Sequence, residues 1–142
     1  MAVERKATAV WNGSLLEGRG TVSADSGVLS DVAVTWPSRA ERTDAGTSPE
    51  ELIAAAHAAC FSMALSHGLA QDGTPPEELA VTATVGFQAG EGITGVQLDV
   101  RGRVAGIDAA GFEAAAATAA ETCPVSQALA GVTITHRATL EG

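Results

Sequence analysis

Cys60 and Cys123 are the only two thiols in this 142-residue chain. Cys60 lies inside a nearly uncharged run, Pro49-Glu50-Glu51-Leu52-Ile53-Ala54-Ala55-Ala56-His57-Ala58-Ala59-Cys60-Phe61-Ser62-Met63-Ala64-Leu65. Cys123 sits at a helix break, Glu121-Thr122-Cys123-Pro124-Val125-Ser126-Gln127. A nucleophilic thiol with a second, distant thiol is the minimum equipment for reducing a peroxide through a disulfide. The plainer alternative is that both are small core residues, because free cysteine is among the most buried residue types.

The neighbours decide between these readings. A thiol in the middle of a helix gains nothing from the helix N-terminus, and burial raises its pKa and makes it inert. Cys60 therefore needs a cation to react. His57 is one turn back on the same face, and Arg39, Arg42 and Arg19 are the other candidates. Arginine suits the task best, because it stays charged in a dry pocket and offers a fork of donors. A carboxylate such as Glu50 can hold that fork in place. Glu50 lies ten positions before Cys60, roughly 15 Å along one helix, so it reaches a thiol only if an antiparallel copy of the helix brings it there. Its plain role is to complement the helix dipole, worth about 0.3–1 kcal/mol. Cys123 precedes a proline and so falls at or just before a helix N-cap, a position that lowers a thiol pKa more readily. Which thiol attacks first stays open on these grounds. A bond between the two requires their Cα atoms to come within about 4.4–6.8 Å.

Competing chemistries have less support. His57, Cys60, Cys123 and His67 or His136 are the atoms a metal would use, but no CxxC or HExxH spacing is present, and no metal or other cofactor is expected. There is no GxSxG for a serine hydrolase. Gly18-Arg19-Gly20 has neither the spacing nor the context of a phosphate loop.

The whole chain sets the frame. Its length fits a single domain over 1–142 with a moderate core. Aromatics supply only 4% of residues and alanine much of the apolar fraction, so the core has few large anchors and an oligomer is expected. The net charge of −9 leaves no basic stripe for nucleic acid or anionic lipid. The start, Met1-Ala2-Val3-Glu4-Arg5-Lys6-Ala7, has no apolar secretory core. The run from Leu52 to Leu69 is long enough to test as a membrane span, but it is mostly alanine, contains His57, Ser62, Ser66 and His67, and lacks close Lys or Arg flanks. A soluble, cytoplasmic protein without a membrane segment is the expectation, and in that compartment a disulfide is catalytic more often than structural.

The positioning elements follow from periodicity. Ala7–Trp11 alternates as a strand and ends at Asn12-Gly13, a hairpin signal, with Gly18–Ser23 as its returning partner. Val32–Trp36 reads as another strand stopped by Pro37, and residues 38–46 as a polar loop. Ser48, Pro49 and Glu51 form a capping box with proline at the first helical position. The helix they start runs to about Gly68 and is apolar on every face, so it must be enclosed by a sheet and a second helix, from this chain or another. Strands follow at Leu79–Phe87 and from Val96 to Val104, then a helix from Ala109 to Ala120 capped by Asp108, a short helix after Pro124, and a last strand from Val132 to Leu140.

The run from Pro49 to Leu65 closely resembles the OsmC/Ohr family of thiol-dependent peroxidases, as does Cys123-Pro124-Val125-Ser126-Gln127 at the expected distance. Gly20-Thr21-Val22-Ser23 followed by Ser26-Gly27-Val28-Leu29 is similar to the OsmC branch. The resemblance spans nearly the whole chain. It implies an α+β fold with antiparallel sheets wrapped around long central helices in an intertwined homodimer. It implies that Cys60 attacks an organic hydroperoxide, and hydrogen peroxide more weakly, and that Cys123 closes a disulfide on the resulting sulfenic acid. A dithiol or a lipoylated protein then serves as reductant. Glu50 matches the acid that positions the catalytic arginine. Arg39 fits that arginine within Trp36-Pro37-Ser38-Arg39-Ala40-Glu41, with one departure: Ala40 stands where the family has an aromatic residue, and Arg42 is the alternative. A redox-sensing or hydrophobic-ligand-binding relative with weak catalysis is the rival reading.

Overall fold

The computed structural model describes residues 1–41 and 46–141. The chain forms two compact units, 1–52 and 53–142. Arg42 lies outside the described residues.

The first unit is a three-stranded antiparallel sheet, β1 (Ala7–Asn12), β2 (Arg19–Ala24) and β3 (Val32–Val34), in the order β1-β2-β3. Gly20 sits opposite Trp11 and Val34. A Cβ on Gly20 would lie 2.7 Å from the Trp11 ring, so glycine is what lets that indole close over the sheet. The alternation in β1 predicts a half-covered strand, yet every residue of it is exposed in the single chain, Trp11 at 41%. Residues 36–40 correct another expectation. They form a one-turn helix, α1 (Trp36–Ala40), where the sequence predicts a strand end at Trp36 and loop from Ser38. Thr35 caps it through a reciprocal pair with Ser38, and Pro37 sits in the first turn, where its missing N–H costs nothing. Thr47 then bridges to β3 through its N–H to the Ala33 carbonyl at 2.9 Å, delivering the chain to α2 (Pro49–Gln71). The Ser48 hydroxyl accepts from the Glu51 N–H at 3.1 Å, while the Glu51 carboxylate takes the Thr47 hydroxyl at 2.6 Å. The cap is thus split between two hydroxyl residues.

The second unit joins the rest of α2 to β4 (Glu78–Gln88), β5 (Gly92–Arg103), α3 (Ala109–Thr122), α4 (Pro124–Ala128) and β6 (Ile134–Leu140). The sheet order is β4-β5-β6. The β4–β5 pair is antiparallel with a shift at Gly86/Phe87, but β6 runs parallel to β5. That is a departure from an all-antiparallel expectation. Its cause is the α3–α4 crossover, which carries the chain back before it re-enters the sheet. β5 alternates strictly, with Val96, Leu98 and Val100 facing the core. They meet Phe61, Leu65 and Leu69 of α2 and Phe112, Ala116 and Ala119 of α3.

His57, Phe61, Leu65 and Leu69, four residues apart, form the buried stripe of α2. Sheet and second helix thus enclose one face, whereas the all-apolar sequence predicts enclosure on every side. The opposite face, with Ala55, Ala56, Ala59 and Met63, is exposed, Met63 at 72%. Among the described residues α2 is the one helix long and apolar enough to cross a membrane by length and composition alone.

Gly102 of β5 lies under Phe112, where a Cβ would come within 2.5 Å of the ring and 3.2 Å of Leu79. The Gly102→Ala variant is expected to lose about 1–3 kcal/mol through overpacking, read as a lower midpoint in urea. An unchanged midpoint would mean that Phe112 moves without cost.

Candidate functional site

Pro124 builds the thiol site. The residue before a proline is pushed out of the helical region, and Cys123 accordingly adopts φ −57°, ψ 123°. It is at once the C-cap of α3, with its N–H on the Ala119 carbonyl at 2.9 Å, and the N-cap of α4. This break turns the Cys123 side chain into the core, where it is fully buried. Cys60, on α2, packs against the same core and is partly exposed. Both are free thiols, Cys123 in the core cluster and Cys60 packed against that cluster. Two residues remote in sequence, singled out by type alone, are thus neighbours.

Their proton affinities are unequal. Burial pushes the Cys60 thiol up; the Val125 N–H opposes this, and Cys123 as a second sulfur adds to it, so the net direction is upward. Burial also works against a Cys123 thiolate. The Ser126 N–H, the Cys60 thiol, the Ser126 hydroxyl and the Val125 N–H outweigh it together, and the Cys123 thiol lies below its ordinary value.

His57 cannot supply the cation for Cys60. It is 0% exposed, its Nε2 lies 2.7 Å from the Ser126 hydroxyl, and its Nδ1 has no partner. Burial lowers its pKa, so it is neutral at pH 7. Among the described residues no three His, Cys, Asp or Glu side chains gather as a metal site.

The expected arginine–carboxylate pair is present in the first unit. Arg39 donates through Nε to both Glu50 oxygens at 3.1 and 3.3 Å and through Nη2 to one of them at 3.0 Å. Glu50 is buried at the first turn of α2, and α1 carries Arg39 to it. Such a two-nitrogen grip fixes the plane of the guanidinium, which a lysine could not reproduce. In the same unit a cavity of about 440 Å³ is lined by Trp11, Leu15, Val22, Trp36 and Leu52, with Arg39 also in its wall.

Thus Cys60 meets Cys123, and Arg39 meets Glu50. Ser126 carried no assigned role in the sequence, although it stands three residues after a cap in a quoted motif. The His57–Ser126 bond spans 69 positions and left no local signal.

A neutral buried histidine makes stability depend on pH. The unfolded chain takes a proton near the ordinary value of 6.5, and the folded chain resists it. Stability is therefore lost as pH falls below that value, by up to about 1.4 kcal/mol per pH unit. His57→Gln is expected to flatten this slope between pH 6.5 and 5.5 in urea titrations. A slope equal to that of the unaltered chain would show that His57 protonates freely.

The sequence pattern of the family described as OsmC-like protein matches residues 42–137. The chain is 45% identical over 132 residues to Peroxiredoxin OsmC of Escherichia coli strain K12, covering 91% of this chain and 92% of that protein. It is 37% identical over 119 residues to the organic hydroperoxide resistance protein OhrA of Bacillus subtilis strain 168, covering 81% and 82%. The fold is similar to the crystal structure of an OsmC-like protein from Mycoplasma pneumoniae, with a TM-score of 0.76, 17% identity and complete coverage of both chains. OhrB of Bacillus subtilis superimposes with a TM-score of 0.65 at 25% identity, covering 96% and 98%. Together with its paired thiols and the Arg39–Glu50 grip, these likenesses place the chain in the OsmC-like family.

Proposed function

We propose that this chain is a thiol-dependent peroxidase that reduces organic hydroperoxides, and hydrogen peroxide more weakly. The observation that carries the reading is the placement of its only two thiols at one core, one partly exposed and one buried, both free. The names of the relatives, a peroxiredoxin and organic hydroperoxide resistance proteins, agree with it.

The reaction runs in three steps. The Cys60 thiolate attacks the terminal oxygen of ROOH; the O–O bond breaks, the alkoxide leaves and takes a proton as ROH, and Cys60 becomes a sulfenic acid. The Cys123 thiolate then attacks the Cys60 sulfur, and hydroxide leaves as water after protonation. A dithiol or a lipoylated protein finally reduces the disulfide and is itself oxidised to a disulfide. Cys123 suits the second step because its thiol lies below its ordinary value and gives up its proton more readily than Cys60. Cys60 suits the first only with a cation, and Arg39, oriented by Glu50, is our candidate. The apolar cavity beside Arg39 supports an alkyl-bearing substrate.

In our reading residues 1–142 act as one functional domain of a cytoplasmic homodimer with an antioxidant role in stress. Exposed apolar side chains support the dimer: Met63 with the alanine face of α2, and Trp11, Leu15 and Leu16 of the first unit. Sedimentation should accordingly give twice the chain mass.

One equivalent of cumene hydroperoxide should consume both thiols of the reduced protein. Cys60→Ser should abolish turnover, and Cys123→Ser should permit one turnover and leave a sulfenic acid that dimedone captures. Two free thiols after exposure to the hydroperoxide would end this proposal.

A further inference from the structure

His57 is the one ionisable side chain in the buried stripe of α2, and Ser126 is the one buried residue of α4. Their bond, 2.7 Å from Nε2 to the hydroxyl, joins the two helices inside the core. It holds in either tautomer, since the imidazole donates to the hydroxyl oxygen or accepts from it. As a device for stability it is a poor choice. It leaves Nδ1 buried without a partner, and an apolar pair of the same shape would remove that cost. Its place relative to the thiols is the second observation. His57 stands three residues before Cys60 on α2, a spacing that makes the two neighbours on the helix surface. Ser126 stands three residues after Cys123, the N-cap of α4. The bond therefore ties the turn that presents Cys123 to the helix that carries Cys60. A five-residue helix such as α4 has little stability of its own. Its position is set by what its side chains reach: Ser126 on His57, and Val125 against the core where Cys60 and Cys123 also pack.

We propose that the His57–Ser126 bond is a strut that fixes α4 against α2 and so sets how readily Cys60 and Cys123 join in a disulfide. The proposal rests on the disulfide of the preceding reading. A disulfide accepts a narrow range of geometry, with Cβ atoms about 3.5–4.5 Å apart. Two thiols held near that range react as if at high local concentration, whereas thiols free to slide must first give up that freedom. Glutathione disulfide measures this without any peroxide. One protein thiolate attacks a glutathione sulfur and expels a glutathione thiolate. The second protein thiolate attacks the protein sulfur of the mixed disulfide, forms the Cys60–Cys123 bond and expels the second glutathione. Two electrons pass from the protein to glutathione, and the two protons of the protein thiols end on the two glutathione thiols. The equilibrium constant of the exchange is the effective concentration of the pair. His57 and Ser126 are positioning residues, acting through the two sulfur atoms.

The full reduced chain is equilibrated with glutathione buffers of known ratio, quenched with acid, and its disulfide fraction read by mass spectrometry. Ser126→Ala and His57→Leu should each lower the effective concentration about tenfold, the loss of one buried hydrogen bond. The variant carrying both changes should fall no further than either alone, as for two residues that act through one shared bond. Ser126→Thr and Ser126→Val have the same shape and differ by a hydroxyl, so Thr should recover most of the value and Val should not. His57→Gln, which offers a donor and an acceptor, should recover it as well. The Ser126 series decides the matter even if His57→Leu does not fold. An unchanged effective concentration in Ser126→Ala, equal losses in Ser126→Thr and Ser126→Val, additive losses in the double variant, or no Cys60–Cys123 bond at any glutathione ratio overturns the strut. If cumene hydroperoxide leaves both thiols free while the expected differences hold in glutathione, the peroxidase reading fails and the strut stands. If the hydroperoxide consumes both thiols and Ser126→Ala matches the unaltered chain in glutathione, the strut fails and the peroxidase reading stands.

Discussion

The site depends on which of two neighbouring thiols gives up its proton. Burial opposes a negative charge on either one, and each unit of pKa displacement represents about 1.4 kcal/mol between the charged and neutral forms. Cys123 overcomes that opposition with neutral dipoles: two backbone N–H groups at the start of α4 and one hydroxyl. Cys60 has one such N–H and a thiol neighbour that works against it. The asymmetry divides the labour. A sulfur served by fixed donors suits resolution and departure. A sulfur left without them needs a full positive charge to become a nucleophile.

The fold serves this asymmetry through a few local choices. Pro124 ends α3, gives Cys123 an extended backbone and starts α4. Fourfold spacing along α2 buries His57 on the same stripe as Phe61, Leu65 and Leu69, which brings the imidazole to Ser126. In the first unit, the Thr35–Ser38 cap sets α1, and α1 delivers Arg39 to Glu50. Each of these devices is small, and each fixes a polar group that would otherwise sample several rotamers.

Much of this was legible in the residues. The two cysteines, the proline after the second, the capped start of α2 and the alternation of β4 and β5 leave strong local signals. A grip of Glu50 on an arginine was foreseeable because a long cationic side chain needs one. Other features leave no such trace. Trp36–Ala40 was hidden because Pro37 reads equally as the end of a strand or the first turn of a helix, and only Thr35 and Ser38 tip the balance. The parallel entry of β6 depends on where the α3–α4 crossover returns, which no periodicity encodes. The exposure of β1 and of one face of α2 concerns what covers them, and composition only hinted at a second chain. The His57–Ser126 bond joins residues whose nearness is created by tertiary packing.

The central claim, that Cys123 gives up its proton more readily than an ordinary cysteine, is tested most directly by ultraviolet titration of the reduced protein at 240 nm, where thiolates absorb and thiols do not. The account predicts that one thiol per chain titrates below the ordinary cysteine value of 9.0 and is assigned to Cys123 by its retention in Cys60→Ser. Titration of both thiols at or above that value would contradict it.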